Sequence, residues 1–276
     1  MRARLIGMLV LIVLAGAAVL ALVSRTGGGT ESPSAAAPMS ALPPEPMTPR
    51  LDATGFNAGN IISDEVFYDA DAMSDAEIAA FIADVNDGCR TGRDGTVCLG
   101  EYRENTPTFA ADQYCDGLAG GADVTAAQII GDVARSCNVN PQALLVMLQK
   151  EQGLLTSSGR RLEESRYTIA MGYGCPDTSN CDPQYFGFAN QLYHAARQFQ
   201  VYRANPDRYS IVPFAENNIG YHPNPECGSS TVYVENYATA GLYNYTPYQP
   251  NLEAPSEDCS SVGNINFYAY FTAWFR

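Results

Sequence analysis

Eight cysteines, falling in successive pairs, constrain this chain more than any other feature. An even cysteine count behind an apolar N-terminal segment reads as a disulfide framework in an oxidising compartment, ahead of metal ligands or a thiol nucleophile. Cys89 and Cys98 flank a polar, glycine-rich turn and close a small loop, and Cys115 finds its partner in Cys137. Cys175 and Cys181 bound a tight loop, while Cys227 and Cys259 tie down an irregular C-terminal region. Only two histidines, His194 and His222, leave little material for a zinc site, so neither a metal nor another cofactor is expected.

Leu5 to Val23 is an unbroken run of apolar and small residues, about as long as a bilayer-spanning helix. Arg2 and Arg4 precede it and only Arg25 follows closely, which keeps residues 1–4 cytoplasmic and the body of the chain outside. The flank ALVSRTGGG matches a small-x-small cleavage site poorly. The sequence therefore favours a single-pass anchor in the cell membrane over a secreted, signal-cleaved protein. Residues 24–54, rich in Gly, Ser, Ala and Pro, bury too little to fold and read as a linker. Stretched at the polyproline rise, they would span on the order of 100 Å.

Residues 55–276 read as one extracytoplasmic domain, mainly α-helical with few short strands. Ser74-Asp75-Ala76-Glu77 predicts a capping box, with Met73 and Ile78 as its hydrophobic staple and Ile78, Phe81, Ile82 and Val85 turned inward. Asp123 or Thr125 caps a helix carrying Ile129, Ile130 and Val133. A further helix runs from about Tyr185 to Arg203, with Leu192, Ala196 and Phe199 inward and His194 on the polar, solvent-exposed face. Asn264 caps a closing helix whose Phe267, Phe271, Trp274 and Phe275 dock on the core. Thirty acidic residues against sixteen basic ones give a net charge of −14, which argues against a nucleic-acid partner.

The stretch NPQALLVMLQKEQGLL, Asn140 to Leu155, carries the candidate chemistry. Asn140 caps a helix with Pro141 at its first position, forming an αα-hairpin with the helix before it. At 100° per residue, Leu144, Met147, Leu148, Leu154 and Leu155 share a face with Glu151, while Gln142, Gln149 and Lys150 fall elsewhere. A carboxylate on an apolar stripe must be paired, hydrogen-bonded or protonated. It is either a general acid or a structural carboxylate at an exposed end or against a buried partner.

Three blocks together, LLVMLQKEQGLL, then IAMGYG, then ATAGLYNYTPY, resemble the lysozyme-like superfamily and, within it, the lytic transglycosylases of bacterial cell walls. From Phe56 to Phe275 the chain also resembles a little-characterised group of secreted bacterial proteins built on the same blocks. The first resemblance implies a lysozyme-like fold, peptidoglycan glycan strands as partner, and Glu151 as the acid that protonates the glycosidic oxygen. It places Met171 and Tyr173 where Gly-Leu-Met-Gln lines the sugar cleft, Gln152 where serine follows the glutamate, and Tyr243 or Tyr245 as the tyrosine bonding the catalytic carboxyl. Gln152, Tyr173 and the LYNYTPY block depart from the family's residues at those places.

A hydrolase needs two carboxyl groups across the scissile bond. Glu163 and Glu164 sit among Arg160, Arg161 and Arg166 in what reads as an ion-paired surface, and Asp177, between Cys175 and Cys181, is either a second carboxylate or a turn residue. Transglycosylation needs only one. The competing expectations are a glycan-binding module on the same fold, without activity, and a structural partner in cell-wall assembly.

Overall fold

The computed structural model describes residues 46, 48–176, 179–252 and 257–276. The expected membrane anchor, most of the expected linker and Asp177 lie outside the described residues. Among the described residues no helix is long and apolar enough to cross a membrane. The chain joins the core just ahead of Phe56, where the Thr54 carbonyl accepts from the Tyr268 hydroxyl at 3.1 Å.

Helices dominate. In chain order they are α1 (Asp64–Phe67), α2 (Asp75–Val85), α3 (Ala126–Cys137), α4 (Pro141–Gln152), α5 (Glu164–Thr168), α6 (Phe188–Ala204), α7 (Tyr237–Tyr245) and α8 (Ile265–Phe275). The strands are β1 (Arg103–Thr106), paired antiparallel with β2 (Gly121–Thr125), and β3 (Ala215–Gly220), paired antiparallel with β4 (Ser229–Val234). Each pair is a separate two-stranded sheet, a unit that is stable only when packed on something else.

Local chemistry sets the helix ends. Ser74 and Glu77 form the capping box of α2. Thr125 with Gln128 forms another at α3, and Asn138 ends that helix in the left-handed region at φ 48°. Asn140 then caps α4 by accepting from the Gln142 N–H at 2.7 Å. The same side chain, 1 % exposed, donates to the Val66 carbonyl at 2.8 Å, fastening α4 to α1. Gly153 closes α4 at φ 63°, a conformation that glycine adopts without the Cβ penalty.

The expectation for α8 needs correcting. Asn264 stands at its N-cap but makes no side-chain capping bond. Its amide instead donates to the Thr246 and Leu242 carbonyls at 3.0 and 3.4 Å, satisfying the end of α7.

The core runs through the middle of this bundle. α3 packs on α2, α4 and α6, α4 packs also on α8, and α6 packs also on α7. Phe67, Phe188, Phe199 and Phe267 are fully buried, with Phe67 edge-on to Phe199 at 4.9 Å between centroids. α4 is deeply buried: every residue from Ala143 to Gln149 is out of solvent. The single apolar stripe expected from periodicity is thus an incomplete description, since a helix buried on all sides has no solvent face. Disulfides join Cys89–Cys98, Cys115–Cys137, Cys175–Cys181 and Cys227–Cys259, the four pairs that the sequence spacing suggests. They cross-link the loops, where the core has least to offer.

Candidate active site

Glu151 lies in the last turn of α4, where the helix emerges from the core, with its side chain 22 % exposed. The carboxylate is paired: Lys150 Nζ lies 2.6 Å from Oε1 and also donates to Thr246 Oγ1 at 2.7 Å. Lys150 is 6 % exposed, so it turns inward although it falls off the apolar stripe of the helical wheel. The pairing answers the cost of a carboxylate at an apolar helix end. Among the described residues nothing hydrogen-bonds Oε2. A Cβ on Gly172 would lie 3.2 Å from that oxygen.

Gly172 is also a wall of a cleft of about 560 Å³ lined by Tyr173, Tyr185, Tyr202, Tyr209, Tyr245 and Gln198, with Gly174, Cys175 and Pro176 at its edge. Glu151 is not itself part of that wall; its Oε2 lies against Gly172, whose φ of +67° and missing side chain leave room for it. The rings meet edge to face, Tyr173 on Tyr185 at 4.7 Å and Tyr202 on Tyr209 at 4.5 Å between centroids. This is the arrangement that aromatic quadrupoles favour. It leaves flat faces to line the cleft, while the hydroxyls of Tyr173, Tyr202 and Tyr245 donate to Gln198, the Asn244 carbonyl and the Met171 carbonyl, and that of Tyr209 accepts from Gln198.

Three of these phenols are held protonated. Burial, and then the nearby Glu151 carboxylate and the phenols of Tyr202 and Tyr173, push the Tyr245 hydroxyl far above its ordinary range. Burial raises Tyr202 and Tyr173 as well, with Tyr209 and Tyr185 respectively adding to it. The Tyr245 hydroxyl is spent on the Met171 carbonyl at 2.7 Å while its ring stacks on Phe199. Tyr245 is therefore near the carboxylate without donating to it.

The loop that carries Gly172 is built from α6. Gln191, wholly buried, accepts from the N–H groups of Met171 and Tyr173 at 3.2 and 3.0 Å. It also donates to the carbonyls of Tyr173 and Tyr185 at 2.9 and 2.8 Å. One turn on, His194 is half-buried among Tyr173, Tyr185 and Phe109. It is not the solvent-exposed residue expected from the wheel. Burial, with Arg197 adding to it, depresses its pKa below 6.5.

Of the residues the sequence singles out, the structure brings Glu151, Tyr173 and Tyr245 together. It leaves Met171, Tyr243, Gln152 and His222 out of that group. Met171 is fully buried and offers the site only its backbone. Tyr243 is fully buried in the core, its hydroxyl without a partner among the described residues. Gln152 is absent from the cleft wall, and its carbonyl accepts from Arg166. His222 holds a turn, its Nδ1 accepting from the Asn224 N–H at 3.1 Å. Lys150, Gln191 and Gln198 escape a reading by sequence. Gln191, Gln198 and Tyr202 recur at seven and eleven residues along α6, a spacing that puts them on one face and is the signal that could have found them.

A second hollow, of about 460 Å³, contains Asp94, Glu104 and Glu164. Two of these carboxylates are already committed. Glu104 accepts from the Ala189 N–H at 2.7 Å, bracing the start of α6, and from the Tyr102 hydroxyl at 2.8 Å. Hydrogen bonds from Thr96 and the Glu164 N–H hold Asp94 down to a pKa of about 2. Glu151, with one oxygen open, differs from both. No family model, curated protein or solved structure matches this chain.

Proposed function

We propose that this protein is a peptidoglycan glycosidase in which Glu151 acts first as general acid and then as general base. The observation that carries the reading is the half-buried carboxylate at the end of the core helix, with Oε2 open beside a tyrosine-lined cleft. Tyrosine faces pack on pyranose rings, so a neutral glycan suits such walls. The resemblance of the three sequence blocks to lytic transglycosylases supports the same reading, and among the described residues the cleft wall holds no carboxylate.

A single acid can serve both halves of a transglycosylation. It gives its proton to the glycosidic oxygen as the bond to the anomeric carbon breaks. The C6 hydroxyl of the same muramic residue then bonds to that carbon and returns a proton to the carboxylate. The products are an anhydromuramyl end and a free hydroxyl on the leaving sugar, and the glutamate is regenerated. Hydrolysis would instead need a second carboxyl group to handle water.

The Lys150–Glu151 pair favours one other reading. A carboxylate held by an ammonium at 2.6 Å also suits a glycan-binding module without activity. Incubating the full-length chain with peptidoglycan and analysing the soluble products by mass spectrometry separates the two. Anhydromuramyl ends support transglycosylation, reducing ends support hydrolysis, and wall binding without release supports the binding module.

A further inference from the structure

Lys150 is the polar feature at this site that a lone glutamate acid leaves unexplained. Its side chain is buried more deeply than that of the glutamate it contacts, 6 % exposed against 22 %. It is also held from a second element, because Thr246, which accepts from Nζ, is the C-cap of α7. The lysine is thus braced between the ends of two helices. Fold stability is a weak reason for this arrangement, since desolvating two charges offsets most of the attraction between them. The geometry itself is one-sided. Oε1 is occupied from the protein interior, while Oε2 is left towards Gly172 and the cleft. A carboxylate held through one oxygen cannot turn about its terminal bond without breaking that contact, so the other oxygen is the one presented.

We propose that Lys150 is a positioning residue: braced by Thr246, its ammonium holds Glu151 through Oε1 so that Oε2 is the atom that exchanges a proton with the sugar. The proposal rests on the glycosidase reading above and adds to it the residue that aims the acid. It gives to a lysine and a threonine the orienting part that the resemblance implies for a tyrosine, and it fits the Tyr245 hydroxyl being committed to Met171.

The test is steady-state release from peptidoglycan by the full chain, comparing wild type with Lys150→Met and Thr246→Val, each melted first to establish that it is folded at the assay temperature. Misplacing a catalytic group by a fraction of an ångström to an ångström predicts a kcat lower by about 10- to 100-fold in Lys150→Met. Thr246→Val, which keeps the charge and loses only the brace, falls in the same direction by less. KM stays at the wild-type value in both, because Lys150 and Thr246 are not part of the cleft wall. A purely structural lysine would lower the melting temperature and leave kcat of the folded protein alone. If Lys150→Met does not fold, Thr246→Val decides. An active wild type whose folded variants keep full kcat overturns the positioning role and leaves the glycosidase standing. A wild type that releases nothing overturns the glycosidase reading and the positioning role with it.

Discussion

Gln191→Leu is the perturbation that tests most sharply how the site is built. The glutamine is wholly buried and makes four hydrogen bonds, two accepted and two donated, all to the backbone of Met171, Tyr173 and Tyr185. Leucine has a similar volume, so little cavity opens, and the loss is that of the four partners. Each buried backbone group left without a partner costs about 1–3 kcal/mol. Three of these four bonds are only partly buried, so water recovers part of the loss, and a total of about 3–5 kcal/mol follows. In a domain of this size that lowers the melting temperature by roughly 6–20 °C. Urea unfolding gives the free energy, and amide exchange gives its location: protection at Met171 and Tyr173 should fall more than protection in α3. A loss below about 1 kcal/mol, typical of a surface substitution, or a loss spread evenly over the chain, would refute the assignment of Gln191 as the support of the Gly172 loop.

Two further expectations concern stability. His194 has a folded pKa below 6.5, set by burial and then Arg197, so the folded state favours the neutral ring. Stability from this group is complete above pH 6.5 and is lost as pH falls through the lower folded value; in His194→Gln, urea titrations across that range should show a smaller decline than in wild type. Replacing both Cys227 and Cys259 by serine opens a link spanning 32 residues, for which chain entropy predicts a loss of about 3–4 kcal/mol. Denaturant midpoints check the value, and a change near zero would contradict it.

Much of the framework is legible in the sequence because it is written in short-range chemistry. The Ser74–Glu77 and Thr125–Gln128 boxes, Pro141 behind Asn140, and cysteines separated by 6, 9 or 22 residues all specify neighbours that the chain must bring together anyway. The site is less legible because it depends on what surrounds α4. Periodicity assigns one buried face, and α4 has no exposed one over most of its length, so a place off the apolar stripe does not tell that Lys150 turns inward. Consecutive helix residues do not ordinarily face each other, and only the long lysine stem lets Nζ reach both Glu151 and Thr246, nearly a hundred residues further on. Tyr243 and Tyr245 cannot be told apart in sequence. Two residues along α7 separate the closed core from the cleft. Met171, expected to line the cleft, is buried, and the cleft sees the glycine beside it.

The central claim is that Glu151 exchanges protons with a sugar, and Glu151→Gln tests it most directly, because the substitution keeps the shape and removes the acid. Wild-type and variant chains are compared for fragment release from peptidoglycan and for co-sedimentation with the intact wall. General acid–base catalysis is worth about 10²–10⁴ in rate, so the account predicts a loss of release of that order with wall binding retained. Release by Glu151→Gln at the wild-type rate would contradict it.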